Sequence, residues 1–129
     1  MFDHISLRVK DLHRSRAFFD RALAPLEVKV IVDMPVSAKN PVPVLAYGEG
    51  LRAYFWLAQA DPVSGPLHIS FAAETRAQVD AFYEAAIAAG GKDNGRPGVR
   101  PHYGPTYYGA FVIDPDGHNI EAVCRRAEN

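Results

Sequence analysis

The 129-residue chain carries 14 basic and 15 acidic side chains, a formal net charge of −1, with 48% hydrophobic and 22% charged residues. That length can bury one core without staples, no stretch approaches the roughly 18 apolar residues of a membrane span, and the balanced, interspersed charge lacks the basic footprint a nucleic-acid backbone demands. The lone Cys124 excludes an internal disulfide and is given no role, and the opening Met1-Phe2-Asp3-His4 lacks the regions of a signal peptide, so a cytoplasmic protein is expected.

The first expected element is a strand, since Ile5, Leu7 and Val9 alternate with His4, Ser6 and Arg8; the polar set then faces away from the packed side. A helix follows, with Asp11 as N-cap, Leu12, Ser15, Phe19, Ala22 and Leu23 at helical spacing, and Pro25 as its stop. Short strands are expected over Glu27 to Val32, Val42 to Tyr47 and Arg52 to Ala58, separated by a loop from Asp33 to Pro43 that holds three prolines. Asp61 to Pro66 reads as a linker. The second half then repeats the first: His68-Ile69-Ser70 lies 64 residues after His4-Ile5-Ser6, and Ala81-Phe82-Tyr83-Glu84 lies 64 after Ala17-Phe18-Phe19-Asp20. Its helix begins after Thr75, carries Val79, Phe82, Tyr83, Ala86 and Ile87, and stops at Gly90-Gly91. Asn94 to Pro105, rich in glycine and proline, is expected to be a loop, followed by strands over Tyr107 to Ile113 and Asn119 to Arg125. The fold class is α+β: two βαβββ modules, about 1–60 and 67–129, in one domain.

The two His-Ile-Ser openings and the ending Asp114-Pro115-Asp116-Gly117-His118-Asn119-Ile120-Glu121 resemble the vicinal oxygen chelate superfamily, which includes glyoxalase I, extradiol dioxygenases, fosfomycin-resistance transferases and bleomycin-binding proteins. The resemblance covers nearly the whole chain. It implies a cupped sheet holding a divalent metal (Fe²⁺, Mn²⁺, Ni²⁺ or Zn²⁺) through His4, His68 and Glu121, a histidine–carboxylate set that leaves positions open for water or substrate. Glyoxalase I takes a fourth ligand from the last strand of the first module. Here Trp56 falls in that place, indole cannot ligate a hard cation, and Gln59 would need a slip of register, so a true glyoxalase I is disfavoured. Extradiol dioxygenases usually have two such domains per chain, against one here.

A second cluster, His102, Tyr103, Tyr107 and Tyr108, offers a titratable imidazole and phenols for proton transfer or substrate binding. Adjacent strand residues face opposite ways, so only one of Tyr107 and Tyr108 can line a pocket. Arg8 shares the face of His4 and could bind an anionic group; Trp56 and Tyr103 are the other candidate substrate contacts. His13 reads as solvated, His118 as structural, and Asp114 and Asp116 as bonding the backbone of their own turn. The primary functional reading is a metal-dependent lyase, isomerase or dioxygenase-like enzyme acting on a small oxygen-rich molecule. The alternatives are a metal-free binding protein of the bleomycin-resistance type, and, more weakly, a thiol transferase. A homodimer is expected, because the open sheet leaves strand edges and apolar surface to cover.

Overall fold

The computed structural model describes residues 3–61 and 67–127. The chain runs β1 (Ile5–Val9), α1 (Leu12–Leu23), a 3-10 turn (Ala24–Leu26), β2 (Lys29–Met34), β3 (Val44–Glu49) and β4 (Arg52–Gln59). It then repeats that order as β5 (His68–Ala72), α2 (Arg76–Ala88), β6 (Lys92–Val99), β7 (Tyr108–Ile113) and β8 (Asn119–Cys124). The expected α+β fold of two βαβββ modules is present; residues 62–66 of the expected linker lie outside the described residues.

Local chemistry sets the helix boundaries. Asp11 caps α1 by accepting from the Arg14 amide, and Thr75 caps α2 with a full capping box closed by Gln78. Pro25 does not simply end α1. It continues the chain into the 3-10 turn, after which Glu27 takes a left-handed conformation with φ of 61°, and this is why β2 begins at Lys29 rather than at Glu27. Gly90, with φ of 97°, turns the chain after α2.

The largest departure from expectation is β6, which occupies Lys92–Val99 inside the stretch read as a loop. It lies at the end of its sheet, so Pro97 has an outer side where its missing N–H costs no ladder bond. The register slips twice, around Gly95 and again before Gly98. Proline and glycine are admitted because the strand is an irregular edge.

The strands form two four-stranded sheets, ordered β1-β4-β3-β2 and β5-β8-β7-β6. In each, the first strand pairs in parallel with the last, leaving β1 and β5 as edges. One core serves both modules. Leu7, Val9, Phe18, Phe19, Phe55 and Leu57 of the first half are buried with Phe71, Val79, Phe82, Ile120 and Ala122 of the second, each such side chain contributing about 1.5–3 kcal/mol when fully removed from water. Phe55 meets Phe71 edge-to-face with ring centroids 5.2 Å apart, and α1 packs on α2. With the apolar faces turned to this core, Ser6 and Arg8 in one module and His68 and Ser70 in the other are exposed. Ile87, expected to pack, is instead 36% exposed.

Candidate functional site

Strand β5 opens on His68, and the residue before it is fixed at both backbone polar groups. The Leu67 amide donates to His118 Nδ1 at 2.9 Å, and the Leu67 carbonyl accepts from the Asn119 amide at 2.8 Å. His118 is buried, held by its own amide to Asp114 Oδ1 at 2.8 Å, an oxygen that also accepts from the Asp116 amide. Asp114 and His118 are thus structural, as expected, whereas Asp116 accepts from the Lys10 amide and from Ser15 Oγ in the first module.

So placed, His68 Nε2 donates to Glu121 Oε1 at 2.8 Å. The two sit on neighbouring strands, Glu121 lying opposite Ser70 in the ladder. Glu121 is 1% exposed and its second oxygen accepts from the Tyr107 hydroxyl. Burial, reinforced by the bond to Glu121, pushes the Tyr107 phenol up to about 12, so at neutral pH it is a proton donor in a hydrogen bond and not a base. Gly109 makes room for this pair, because a Cβ there would stand 3.1 Å from Tyr107 Cε1 and 3.2 Å from Glu121 Oε2.

Above these groups opens a cavity of about 500 Å³ lined by His68, His102, Tyr103, Tyr107, Phe111, Glu121 and Arg125. Tyr103 bridges two of the rings, with centroids 4.1 Å from His102 and 5.2 Å from Tyr107. Five of the residues singled out from the sequence therefore meet: His68, Glu121, His102, Tyr103 and Tyr107. Tyr108 does not join them. Its side chain turns to the helix side, donating to Asp80 Oδ1 of α2 at 2.6 Å, because adjacent strand positions face opposite ways.

His4 also lies apart within one chain. It pairs with Asp3 at 2.8 Å in a separate depression with Ile5, Arg52 and Tyr54. Among the described residues no three His, Cys, Asp or Glu side chains of the single chain come together as a metal site. The convergence of His4 with His68 and Glu121 is therefore not formed within the protomer. Arg8 is exposed, on the face of Ser6. Trp56, half-buried, lies opposite Ser6 in the β1–β4 ladder, the register place that Glu121 holds opposite Ser70.

Arg125 and Phe111 were missed in the sequence. Arg125 had a signal: Glu121, Val123 and Arg125 alternate, which puts them on one face if strand geometry carries past Cys124.

Two βαβββ modules with a histidine–carboxylate pair on the face away from the core define a paired-module, glyoxalase-like domain. The sequence matches the family model described as Glyoxalase/Bleomycin resistance protein/Dioxygenase superfamily over residues 1–122, and the chain belongs to that family. A crystal structure of a glyoxalase/bleomycin resistance protein from Albidiferax ferrireducens T118 is 31% identical and superposes with a TM-score of 0.74, covering 98% of this chain and 99% of that one. A glyoxalase I mutant from Zea mays (23% identity, TM-score 0.73, 95% of this chain and 46% of that one) shares the fold. So does the fosfomycin resistance protein FosX from Listeria monocytogenes, crystallised with Mn(II) and sulfate (20% identity, TM-score 0.67, 94% and 88%). No curated protein matches the sequence.

Proposed function

We infer that the protein is a metal-dependent enzyme of this superfamily acting on a small oxygen-rich molecule, and that it works as a homodimer in which His68 and Glu121 of one protomer and His4 of the partner subunit hold a divalent ion, Fe²⁺, Mn²⁺, Ni²⁺ or Zn²⁺. The observation that carries this reading is the His68–Glu121 pair, 2.8 Å apart, at the floor of an aromatic cavity. A carboxylate 1% exposed is costly to bury unless it is paired, and imidazole nitrogen with carboxylate oxygen suits the ions named. The dimer has its own support. His4 immediately precedes β1 and His68 opens β5, and each of these strands is one of the two edges of its sheet. Apposing β1 of one copy with β5 of another covers both edges in a closed two-fold pair.

A bound ion would polarise two neighbouring oxygens of the substrate and stabilise the negative charge that develops on them. The chain's own groups do the rest. Tyr107 holds Glu121 in place by donating to it, and His102, in tilted ring contact with Tyr103 at the cavity wall, is the group placed to take or return a proton. Trp56 stands in the register place of Glu121 in the first module, and on that ground the reaction is not that of a four-ligand glyoxalase I.

Metal analysis of freshly purified protein, with sedimentation of the same sample, tests the proposal. The expected result is a dimer with close to one ion per chain, and loss of the ion in His68→Ala with the fold retained. A monomer that takes up none of the four ions would instead favour metal-free binding, the reading that Trp56 and Tyr54 would suit as parts of an aromatic groove.

A further inference from the structure

Among the described residues Arg125 is the one arginine or lysine that lines the His68–Glu121 cavity, and it is pre-positioned there. Its carbonyl accepts from Thr106 Oγ1 at 2.6 Å, which ties the backbone of residue 125 down just past the end of β8. Its guanidinium carbon lies 4.9 Å from the centroid of the Tyr107 ring, within the range of a cation–π contact. The neighbouring Arg126 is neutralised by Glu74 at 2.6 Å. Arg125 has no such partner among the described residues. A cation–π contact occupies no carboxylate partner, so the guanidinium keeps N–H donors for a bond to an anion. The same phenol that Arg125 contacts bonds Glu121 through its hydroxyl, so Arg125 and Glu121 meet at one tyrosine.

Resting on the functional reading above for its chemistry, but on Arg125 alone for its specificity, we propose that the substrate is a small organic carboxylate whose anionic group is bound by Arg125 while its body lies against Tyr103, Tyr107 and Phe111. The cavity walls agree with this. Phe111 and the two tyrosines supply apolar rings for a flat or apolar body, and Glu121, the one acidic group of the lining among the described residues, is already engaged by His68 and Tyr107.

The test uses salicylate, its neutral amide salicylamide, and phenyl phosphate as probes, titrated calorimetrically into the dimer as purified, with metal content measured on the same samples. Salicylate is expected to saturate the protein and to bind more tightly than salicylamide. Arg125→Ala should lower salicylate affinity about tenfold, as loss of a charge-assisted bond does, and leave salicylamide unchanged, while Arg125→Lys recovers part of the difference. Metal content should be the same in all three proteins. Equal affinity for the acid and the amide, indifference of salicylate to Arg125→Ala, or no saturable binding of salicylate would overturn the proposal, and tighter binding of phenyl phosphate would replace the carboxylate by a phosphate. If the protein carries no metal yet binds salicylate through Arg125, the substrate assignment stands and the metal-dependent reading fails.

Discussion

Mixing two inactive variants separates a cavity shared between protomers from one built inside a chain. In the proposed dimer each of two sites draws His4 from one protomer and His68 with Glu121 from the other. His4→Ala and His68→Ala homodimers each lack a ligand at both sites. In the mixed dimer one site lacks both histidines while the other keeps all three ligands. Random exchange makes about half of the dimers mixed, so about one quarter of all sites are intact, and mixed dimers purified through two different tags carry about one ion where the wild type carries two. The substitutions should leave folding alone, because the His4 and His68 side chains are 54% and 53% exposed and neither belongs to the core. The assay is zinc or manganese content after gel filtration, with circular dichroism to confirm the fold. Mixed dimers holding no more metal than either homodimer, beside a fully loaded wild type, would refute the shared site.

Gly109→Ala would press on both Tyr107 and Glu121 from the 3.1 and 3.2 Å positions of its new Cβ; metal affinity is expected to fall while the thermal midpoint moves little, as isothermal titration and melting will show. Tyr108→Phe removes only the bond to Asp80, so it should cost about 1 kcal/mol of stability by urea unfolding and leave metal content unchanged. Phe55→Ala, which deletes a ring packed on Phe19, Tyr47 and Phe71, should cost about 3–5 kcal/mol by the same measurement. Tyr47, buried and bonded to Asp20 at 2.8 Å, has its phenol pushed well up by burial and then by Asp20. A raised native value means its contribution is complete below the unfolded value near 10 and is lost as pH rises beyond it, so Tyr47→Phe should flatten the alkaline fall in urea midpoint above about pH 10.

The duplication was legible because it shows in residue order alone: the matched His-Ile-Ser strands and the aromatic pairs on the following helices need no knowledge of packing. Asp11 and Thr75 were legible for the same reason, since a cap acts within a few residues of chain. Strand β6 was not. Gly95, Pro97 and Gly98 each argue against a strand when read locally, and only the place of Lys92–Val99 at the sheet's end makes them tolerable. The choice between Tyr107 and Tyr108 was likewise open, because alternation says that two neighbours differ in face but not which face is which. Arg125 closed the expected strand four residues after Glu121 and was given no role, although the alternation from Glu121 reaches it. The place of His4 is a different case, for a sequence states which residues share a module and not whether two modules of one chain meet across a cavity or back to back.

Here the modules meet through their apolar sides, and the polar faces of the two sheets are not equivalent. Ser6 faces Trp56 across the β1–β4 ladder where Ser70 faces Glu121 across β5–β8. One ancestral register position thus carries an indole in the first half and a buried carboxylate in the second. A closed pair of chains that apposes β1 with β5 would put unlike halves together, each cavity receiving one His-Ile-Ser strand from either source but a carboxylate at this register position only from the second module. Such a cavity has one acidic wall and one aromatic wall. Adding a second acid by Trp56→Glu would then bring a fourth ligand within reach of the same ion. The expected outcome is tighter metal binding by competition with a chelator, without a gain in stability of the metal-free protein, since an unpaired carboxylate is costly to bury. Unchanged metal affinity in Trp56→Glu would mean that residue 56 does not share the cavity of Glu121, and the apposition of β1 with β5 would have to be abandoned.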